Sequence, residues 1–223
     1  MNSDKNTPRF LGAAFLLQAV AAVIWTYLLS SLIVTGDISA SMTNIANNAL
    51  QMRASIMFTM ITAIGIAILG VLLYIVLHKQ NKIIALVALV LYLIEAAILA
   101  ASRIEAFALL RISQESLIAG HPAHLQTLGT LFYESAEFGD WLHMLPFALG
   151  ATLFYYLFFK SGYIPRALSL FGLIAALLAL IGIPLGLLGY DVPMIVFLPN
   201  LPFELAIGLW LLFKGIREVS ETN

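Results

Sequence analysis

The chain has no cysteine and few charged residues. Cysteine is absent from all 223 residues, and charged residues make up only 10% of them. The absence of cysteine excludes disulfides, thiolate metal ligands and a cysteine nucleophile. Soluble globular domains carry about 25% charged residues, so this composition cannot cover a water-facing surface. The net charge of −1 provides no attraction to nucleic acid, and no nucleic-acid partner is predicted.

Apolar residues take the place of the missing charge. They make up 61% of the chain, and its mean hydropathy is +0.98. A transmembrane helix needs about 20 predominantly apolar residues. Six spans are predicted, at about 10–34, 56–78, 83–110, 136–160, 166–188 and 196–214. The predicted fold is therefore all-α, a single polytopic transmembrane helix bundle over residues 1–223 with membrane lipid around it. The loop 35–55 should contain a short amphipathic helix at the membrane interface, with Asp37 among its candidate caps.

Lysine and arginine concentrate on one side of the predicted bundle. The opposite side has only Arg53 and Arg111, with Arg103 near that end of the third span. By the positive-inside rule, the cation-rich side faces the cytoplasm. Both termini are then cytoplasmic, which requires an even number of spans and agrees with six. The predicted location is the cell membrane. The eight residues of the cation-rich side are Lys5, Arg9, Lys79, Lys82, Lys160, Arg166, Lys214 and Arg217.

Two predicted spans each carry a glutamate near the middle of the bilayer. Glu95 lies about 18 Å into the third span, and Glu204 about 15 Å from Lys214, at 1.5 Å per residue. A carboxylate in hydrocarbon costs about 2.5–3.5 kcal/mol, which makes both residues candidates for a functional site. If the two face each other, one should hold a proton at neutral pH. The alternative is that each is neutral and hydrogen-bonded, and serves helix packing.

The fourth span begins with acidic and imidazole side chains at every third position. Such spacing places neighbours close together on one side of a helix. Asp140 and His143 form a candidate polar pair lining an outer cavity, with Glu137 as a secondary member. Asp140 and His143 are also weak candidates for a metal, since a di-iron bundle needs two Glu-x-x-His elements. Arg103 should either reach the headgroups or approach an acidic residue of this span. The full series is Glu134, Glu137, Asp140 and His143.

Three segments resemble a bacterial integral membrane family known as domain of unknown function 4386. The ending from Glu204 through Trp210 to Lys214-Gly215 is similar to that family's glutamate, tryptophan and lysine-glycine ending. The connector Ser161-Gly-Tyr-Ile-Pro165-Arg-Ala-Leu-Ser169 resembles its Ser…Ile-Pro-Arg…Leu-Ser connector. The segment Gly36–Arg53 is similar to its first outer loop. The resemblance implies a multi-span protein of a bacterial inner membrane and a glutamate at position 95. It implies an arginine three residues earlier, where this chain has Tyr92.

Three functions remain open from the sequence. The first is a bundle that binds or transports a small ligand, a proton or an ion at a site formed by Glu95, Glu204, His143 and Asp140. The second is a metal-dependent membrane enzyme acting on lipid, which would need a glutamate beside Asp140 and His143. The third is a non-catalytic regulatory or scaffold protein. No motif identifies a cofactor or catalytic nucleophile, so whether the chain is an enzyme stays open, as do its cofactor and its ligand.

Overall fold

Every secondary-structure element in the described part of the chain is helical. The computed structural model describes residues 6–217, so the predicted cytoplasmic Lys5 lies outside the described residues. Six helical segments are long and apolar enough to cross a membrane: α1, α3, α4 with α5, α6, α7, and α8 with a short turn before it. The elements are α1 (Thr7–Ser30), α2 (Ile38–Asn47), α3 (Ala49–Leu77), α4 (Lys82–Ala101), α5 (Arg103–Ile118), α6 (Ala123–Ser161), α7 (Arg166–Leu187), a 3-10 turn (Met194–Val196) and α8 (Asn200–Lys214).

The long helices form a closed ring. Each packs against its two neighbours in the order α1, α3, α4, α6, α7, α8, and α8 packs back on α1. Helices α1 and α6 stand on opposite sides of the ring and do not pack on each other, and the same holds for α4 and α8. The space between them must therefore be filled by side chains. The largest buried side chains that fill it are Phe15, Tyr92, Phe154, Tyr155 and Phe203.

The third predicted span is divided in the structure. A single helix was expected over 83–110, whereas α4 ends at Ala101 and α5 begins at Arg103. At the break, the hydroxyl of Ser102 donates a hydrogen bond to the carbonyl of Leu99 at 3.0 Å. Such local bonding competes with continuation of a helix. The break separates the apolar α4 from the more polar α5, which packs on α2 and α6.

The fourth helix begins earlier than the predicted 136–160. Helix α6 has 39 residues and starts at Ala123, which makes it about 58 Å long and longer than the ~30 Å hydrocarbon layer. Glu134 and Glu137 therefore lie several turns inside α6. The expectation that they sit at the start of a helix is wrong, because the polar segment before them is itself helical. The second span also begins earlier, since α3 starts at Ala49.

The loop after α1 contains the short helix α2. Its first turn is capped by Asp37, whose Oδ1 accepts a hydrogen bond from the backbone N–H of Ala40 at 2.9 Å, as expected of a helix cap. Met42 and Ile45 on its apolar face are fully buried against α5, where they meet Leu109 and neighbouring residues. Helices α2 and α5 thus close one end of the ring, here called the α5 end. That α2 lies at the membrane interface stays a prediction.

The connections rich in lysine and arginine meet at the other end of the ring, here called the cationic end. Gln80, between α3 and α4, donates from Nε2 to the hydroxyl of Tyr163 at 3.0 Å. The backbone N–H of Arg217, after α8, donates to the carbonyl of the same tyrosine at 2.9 Å. Three separate stretches of the chain are therefore held together at this end. Its basic side chains are Arg9, Lys79, Lys82, Lys160, Arg166, Lys214 and Arg217.

Candidate functional site

Glu204 is held by a residue of α1 that lies inside the ring. Helices α1 and α8 approach closely, because Gly12 lies directly against the backbone of Gly208 and Leu212. This approach lets Nε2 of Gln18 donate a hydrogen bond to Oε2 of Glu204 at 2.8 Å. Gln18 is only 5% exposed. The amide thereby satisfies one oxygen of a carboxylate in an otherwise apolar helix.

Helix α4, which carries Glu95, stands across the ring from α8, which carries Glu204. Glu95 lies on α4, is only 4% exposed, and its Oε2 has no hydrogen-bond partner among the described residues. The two carboxyl groups are close enough to interact electrostatically. Neither forms an ion pair with any residue of the range 6–217. The two glutamates therefore share a region of the interior that has no balancing cation of its own.

Two buried tyrosines complete this region. Tyr92 and Tyr155 are within electrostatic reach of both glutamates. Tyr92 packs on the backbone at Gly150, where an added Cβ would stand 2.7 Å from its ring. Tyr155 is fully buried, with its ring 4.5 Å from that of Phe203. The group of Gln18, Tyr92, Glu95, Tyr155 and Glu204 is called the central cluster below.

A second polar group lies nearer the α5 end. Arg103, at the first position of α5, is paired with Asp140 of α6. Its Nη2 also donates to Oγ of Ser102 at 2.9 Å, and its Cζ lies 5.4 Å from the centre of the Trp25 ring. Arg103 was expected either to reach the headgroups or to approach an acidic residue of the fourth span, and the structure shows the second arrangement. The guanidinium is buried and held by an anion, a hydroxyl and an aromatic face.

His143 lies between the two groups. Packing of Tyr92 on Gly150 and of Ser102 on Gly139 sets the register of α4 against α6. By that register, His143 is about one turn, roughly 5 Å, closer to the α5 end than Glu95. Arg103 is the charged group within electrostatic reach of His143. The Nδ1 atom of His143 is buried and has no hydrogen-bond partner in the described chain. The group of Trp25, Ser102, Arg103, Asp140 and His143 is called the α5-end cluster below.

The structure therefore divides the predicted ligand site into two parts. Glu95 and Glu204 belong to the central cluster, and Asp140 and His143 to the α5-end cluster. Glu137 joins neither, because it is exposed on α6, one turn before Asp140. Within residues 6–217, no group of three His, Asp or Glu side chains is placed to hold a metal ion together. The pair Asp140–His143 thus lacks the third ligand that the metal hypothesis requires.

A cavity of about 360 Å³ opens beside the α5-end cluster. Arg103 and Asp140 line it together with Trp25, and Glu137 lies on its α6 side. Its remaining walls are largely apolar and come from Leu29, Ile33, Met52, Ala106 and Leu109. The volume is in the range of small-molecule sites.

Besides Tyr92, four residues of these clusters were not singled out as site candidates from the sequence: Gln18, Trp25, Ser102 and Tyr155. Gln18 and Trp25 are seven residues apart and therefore share one face of α1. A polar amide in an apolar span was the available signal for Gln18. Nothing in the sequence distinguishes Tyr155 from other aromatic residues of its span. Tyr92 could be noted only through the family resemblance.

Comparison with known proteins agrees with that resemblance. A family model described as Domain of unknown function (DUF4386) matches residues 10–215. The chain belongs to the DUF4386 family. The part that matches DUF4386 contains every residue of both clusters. Neither the curated proteins nor the solved structures gave a match. The DUF4386 description names no activity, so function must be inferred from the side chains.

Proposed function

We propose that this chain is a multi-pass protein of a bacterial cell membrane that binds a proton or a small cation between Glu95 and Glu204, as a step in binding or transport. The supporting observation is that Glu95 is buried in the bundle and Glu204 is half-buried beside Gln18, with no ion pair to either among the described residues. Surrounding lipid is the expected partner, and a small-molecule ligand carrying a cationic group would suit the same pair.

The chemical argument concerns the cost of unbalanced charge. An isolated carboxylate in an apolar interior is strongly disfavoured and is tolerated only when it is neutralised or paired. Two carboxyl groups near each other add mutual repulsion to that cost. The Gln18 amide donates one hydrogen bond to Glu204 but carries no charge. A bound proton or cation is therefore the simplest way to balance the pair.

The neighbouring groups suit such an occupant. The hydroxyl oxygens of Tyr92 and Tyr155 are hydrogen-bond acceptors as well as donors, and carboxylate and hydroxyl oxygens are suitable ligands for hard cations. Asp140 and His143 lie on the side toward the α5 end. In this proposal they form the outer part of the ligand site and line the path from that end to the glutamates.

Replacing Glu204 with glutamine tests the site. Addition of Na⁺, K⁺ or methylammonium to weakly buffered purified protein should release about one proton per chain, because the cation displaces a proton held by the pair. The Glu204→Gln variant should release none, and a pH electrode or a pH-sensitive dye measures the difference. The substitution keeps an amide oxygen that can still accept from Gln18, so the helix contact should survive.

The control is Glu134→Gln, which removes an exposed carboxylate of α6 outside the central cluster. It should release protons as the parent protein does. Equal proton release from the parent protein and from Glu204→Gln would overturn the proposal. A parent protein that releases no proton, combined with a loss of thermal stability in Glu204→Gln, would instead assign the glutamates to helix packing in a regulatory or scaffold protein.

We further propose that the cationic end faces the cytoplasm. Seven exposed lysines and arginines of the described chain lie at that end and support this orientation through the positive-inside rule: Arg9, Lys79, Lys82, Lys160, Arg166, Lys214 and Arg217. The chain has no cysteine, so single cysteines can be introduced without background labelling.

Cysteine labelling tests the orientation. In intact cells, a membrane-impermeant maleimide should label Ala119→Cys, in the exposed turn between α5 and α6. It should label Lys79→Cys, at the cationic end, only after the membrane is permeabilised. The reverse pattern would place the cationic end, and with it both ends of the described chain, outside the cytoplasm.

A further inference from the structure

Two residues that line the cavity beside the Arg103–Asp140 pair each carry a buried hydrogen-bond donor without a partner among the described residues. Arg103 is only 5% exposed, yet its Nε has no acceptor among the described residues. The indole Nε1 of Trp25 is likewise buried and unpartnered, and both residues line the cavity. A buried donor without an acceptor costs about 1–3 kcal/mol. Two such donors in neighbouring residues of one cavity wall indicate a ligand with a strong acceptor group.

The charges around the cavity favour a ligand that carries a cationic group as well as an anionic one. Arg103 is already balanced by Asp140, and Glu137 adds a carboxylate on the same side of α6, one turn away. A purely anionic ligand would be repelled by the carboxylate of Glu137, which has no ion pair among the described residues. A ligand whose acceptor group is accompanied by an ammonium group satisfies both sides, with the acceptor at Trp25 and Arg103 and the ammonium near Glu137. Phosphate is suited to an arginine and a ring N–H as donors.

At the level of the cavity, α1 extends beyond the start of α8. Helices α1 and α6, which carry Trp25 and Glu137, do not pack on each other. Helix α8 begins at Asn200, about one turn beyond Glu204, whereas α1 continues about three turns beyond Gln18. Thr26 and Ser30 are exposed where α1 borders the cavity. The half-exposed apolar side chains of Leu29 and Ile33 are then available to contact acyl chains.

We propose that this cavity binds the headgroup of a zwitterionic phospholipid of the phosphatidylethanolamine class. The phosphate accepts hydrogen bonds from Trp25 and Arg103, and the ammonium lies near the carboxylate of Glu137. This site is separate from the glutamate pair of the central cluster and does not rest on the function proposed above. A soluble phosphoethanolamine compound carries the same groups and is the other source of this chemistry.

Lipid titration followed by native mass spectrometry tests the proposal. Delipidated full-length protein is titrated with phosphatidylethanolamine and with phosphatidylglycerol of the same acyl chains, which has the phosphate but lacks the ammonium. The parent protein should bind phosphatidylethanolamine more tightly. Trp25→Phe keeps the ring and removes only the N–H, and it should weaken that binding about tenfold, since the lost bond is to a charged group. Glu137→Gln should reduce the preference over phosphatidylglycerol about threefold, because that carboxylate is exposed.

Matched variants outside the cavity are the controls. Trp141→Phe changes an indole that packs on Phe197 and Gly186, and Glu134→Gln removes an exposed carboxylate one turn before Glu137. Both should bind lipid as the parent protein does, and so should Glu204→Gln. Displacement of the lipid by soluble phosphoethanolamine would support the headgroup chemistry with a free compound as ligand. Unchanged binding in Trp25→Phe, or equal affinity of the parent protein for the two lipids, would overturn the proposal.

Discussion

Replacing Asp140 with alanine is expected to lower the free energy of unfolding by about 3–5 kcal/mol, the usual cost of removing one member of a buried ion pair. Arg103 is the reason, because its guanidinium is buried and Asp140 is its only acidic partner among the described residues. Without the carboxylate, the arginine would remain as an unbalanced charge beside apolar helices. Unfolding in detergent, followed by tryptophan fluorescence, measures the effect.

The neighbouring carboxylate provides the control. Glu137→Gln, one turn away and exposed, should change stability by less than about 0.5 kcal/mol. The double substitution Arg103→Met with Asp140→Leu should recover much of the loss, since a buried pair replaced by apolar residues leaves no unpaired charge. An Asp140→Ala variant as stable as Glu137→Gln would show that the pair does not hold the α5 end together.

Replacing Gly12 with leucine should destabilise the bundle by about 3 kcal/mol or more, at the upper end of the usual cost of overpacking. A Cβ at this position would meet the backbone of Leu212 and, at 2.6 Å, the carbonyl oxygen of Gly208. Backbone atoms cannot turn aside as a side chain can, so α1 and α8 would have to separate. That separation would also break the hydrogen bond from Gln18 to Glu204. A thermal melt of the purified variant measures the loss.

Ala13 offers a matched comparison on the same helix. It is exposed next to Gly12, and Ala13→Leu should leave the melting temperature close to that of the parent protein. Because Gly12→Leu also disturbs Glu204, it should abolish the cation-induced proton release described above. A Gly12→Leu variant that melts as the parent does would contradict the close approach of α1 and α8.

The general architecture could be predicted because it follows from composition and length. Runs of about 20 apolar residues cannot be stable in water as exposed helices, and in lipid each must satisfy its own backbone, which makes it helical. Over residues 6–217 the structure confirms an all-helical fold with six helices suited to span a membrane, and the DUF4386 match confirms the family resemblance. The helix cap at Asp37 could also be predicted from the nearby sequence, because capping depends on residues only a few positions apart.

Helix ends were less predictable where polar residues continue a helix. The segment before Glu134 is polar enough to suggest a loop, yet α6 runs through it because α5 packs beside it. Conversely, the apolar run from Ile83 to Leu110 hides the break at Ser102. That break depends on a side-chain hydrogen bond and on a salt bridge to another helix, and hydropathy measures neither.

The sequence alone determined that the chain is a bundle of apolar helices, that two of those helices each carry a glutamate, and that basic residues concentrate in alternate connections. Only the tertiary structure decided which side chains meet. It placed Glu95 across the ring from the helix that carries Glu204, joined Gln18 to Glu204, and paired Asp140 with Arg103 rather than with the glutamates. The physical reason is that lipid and neighbouring helices are equally apolar. A helix surrounded by both carries no hydrophobic pattern to show which face meets which partner.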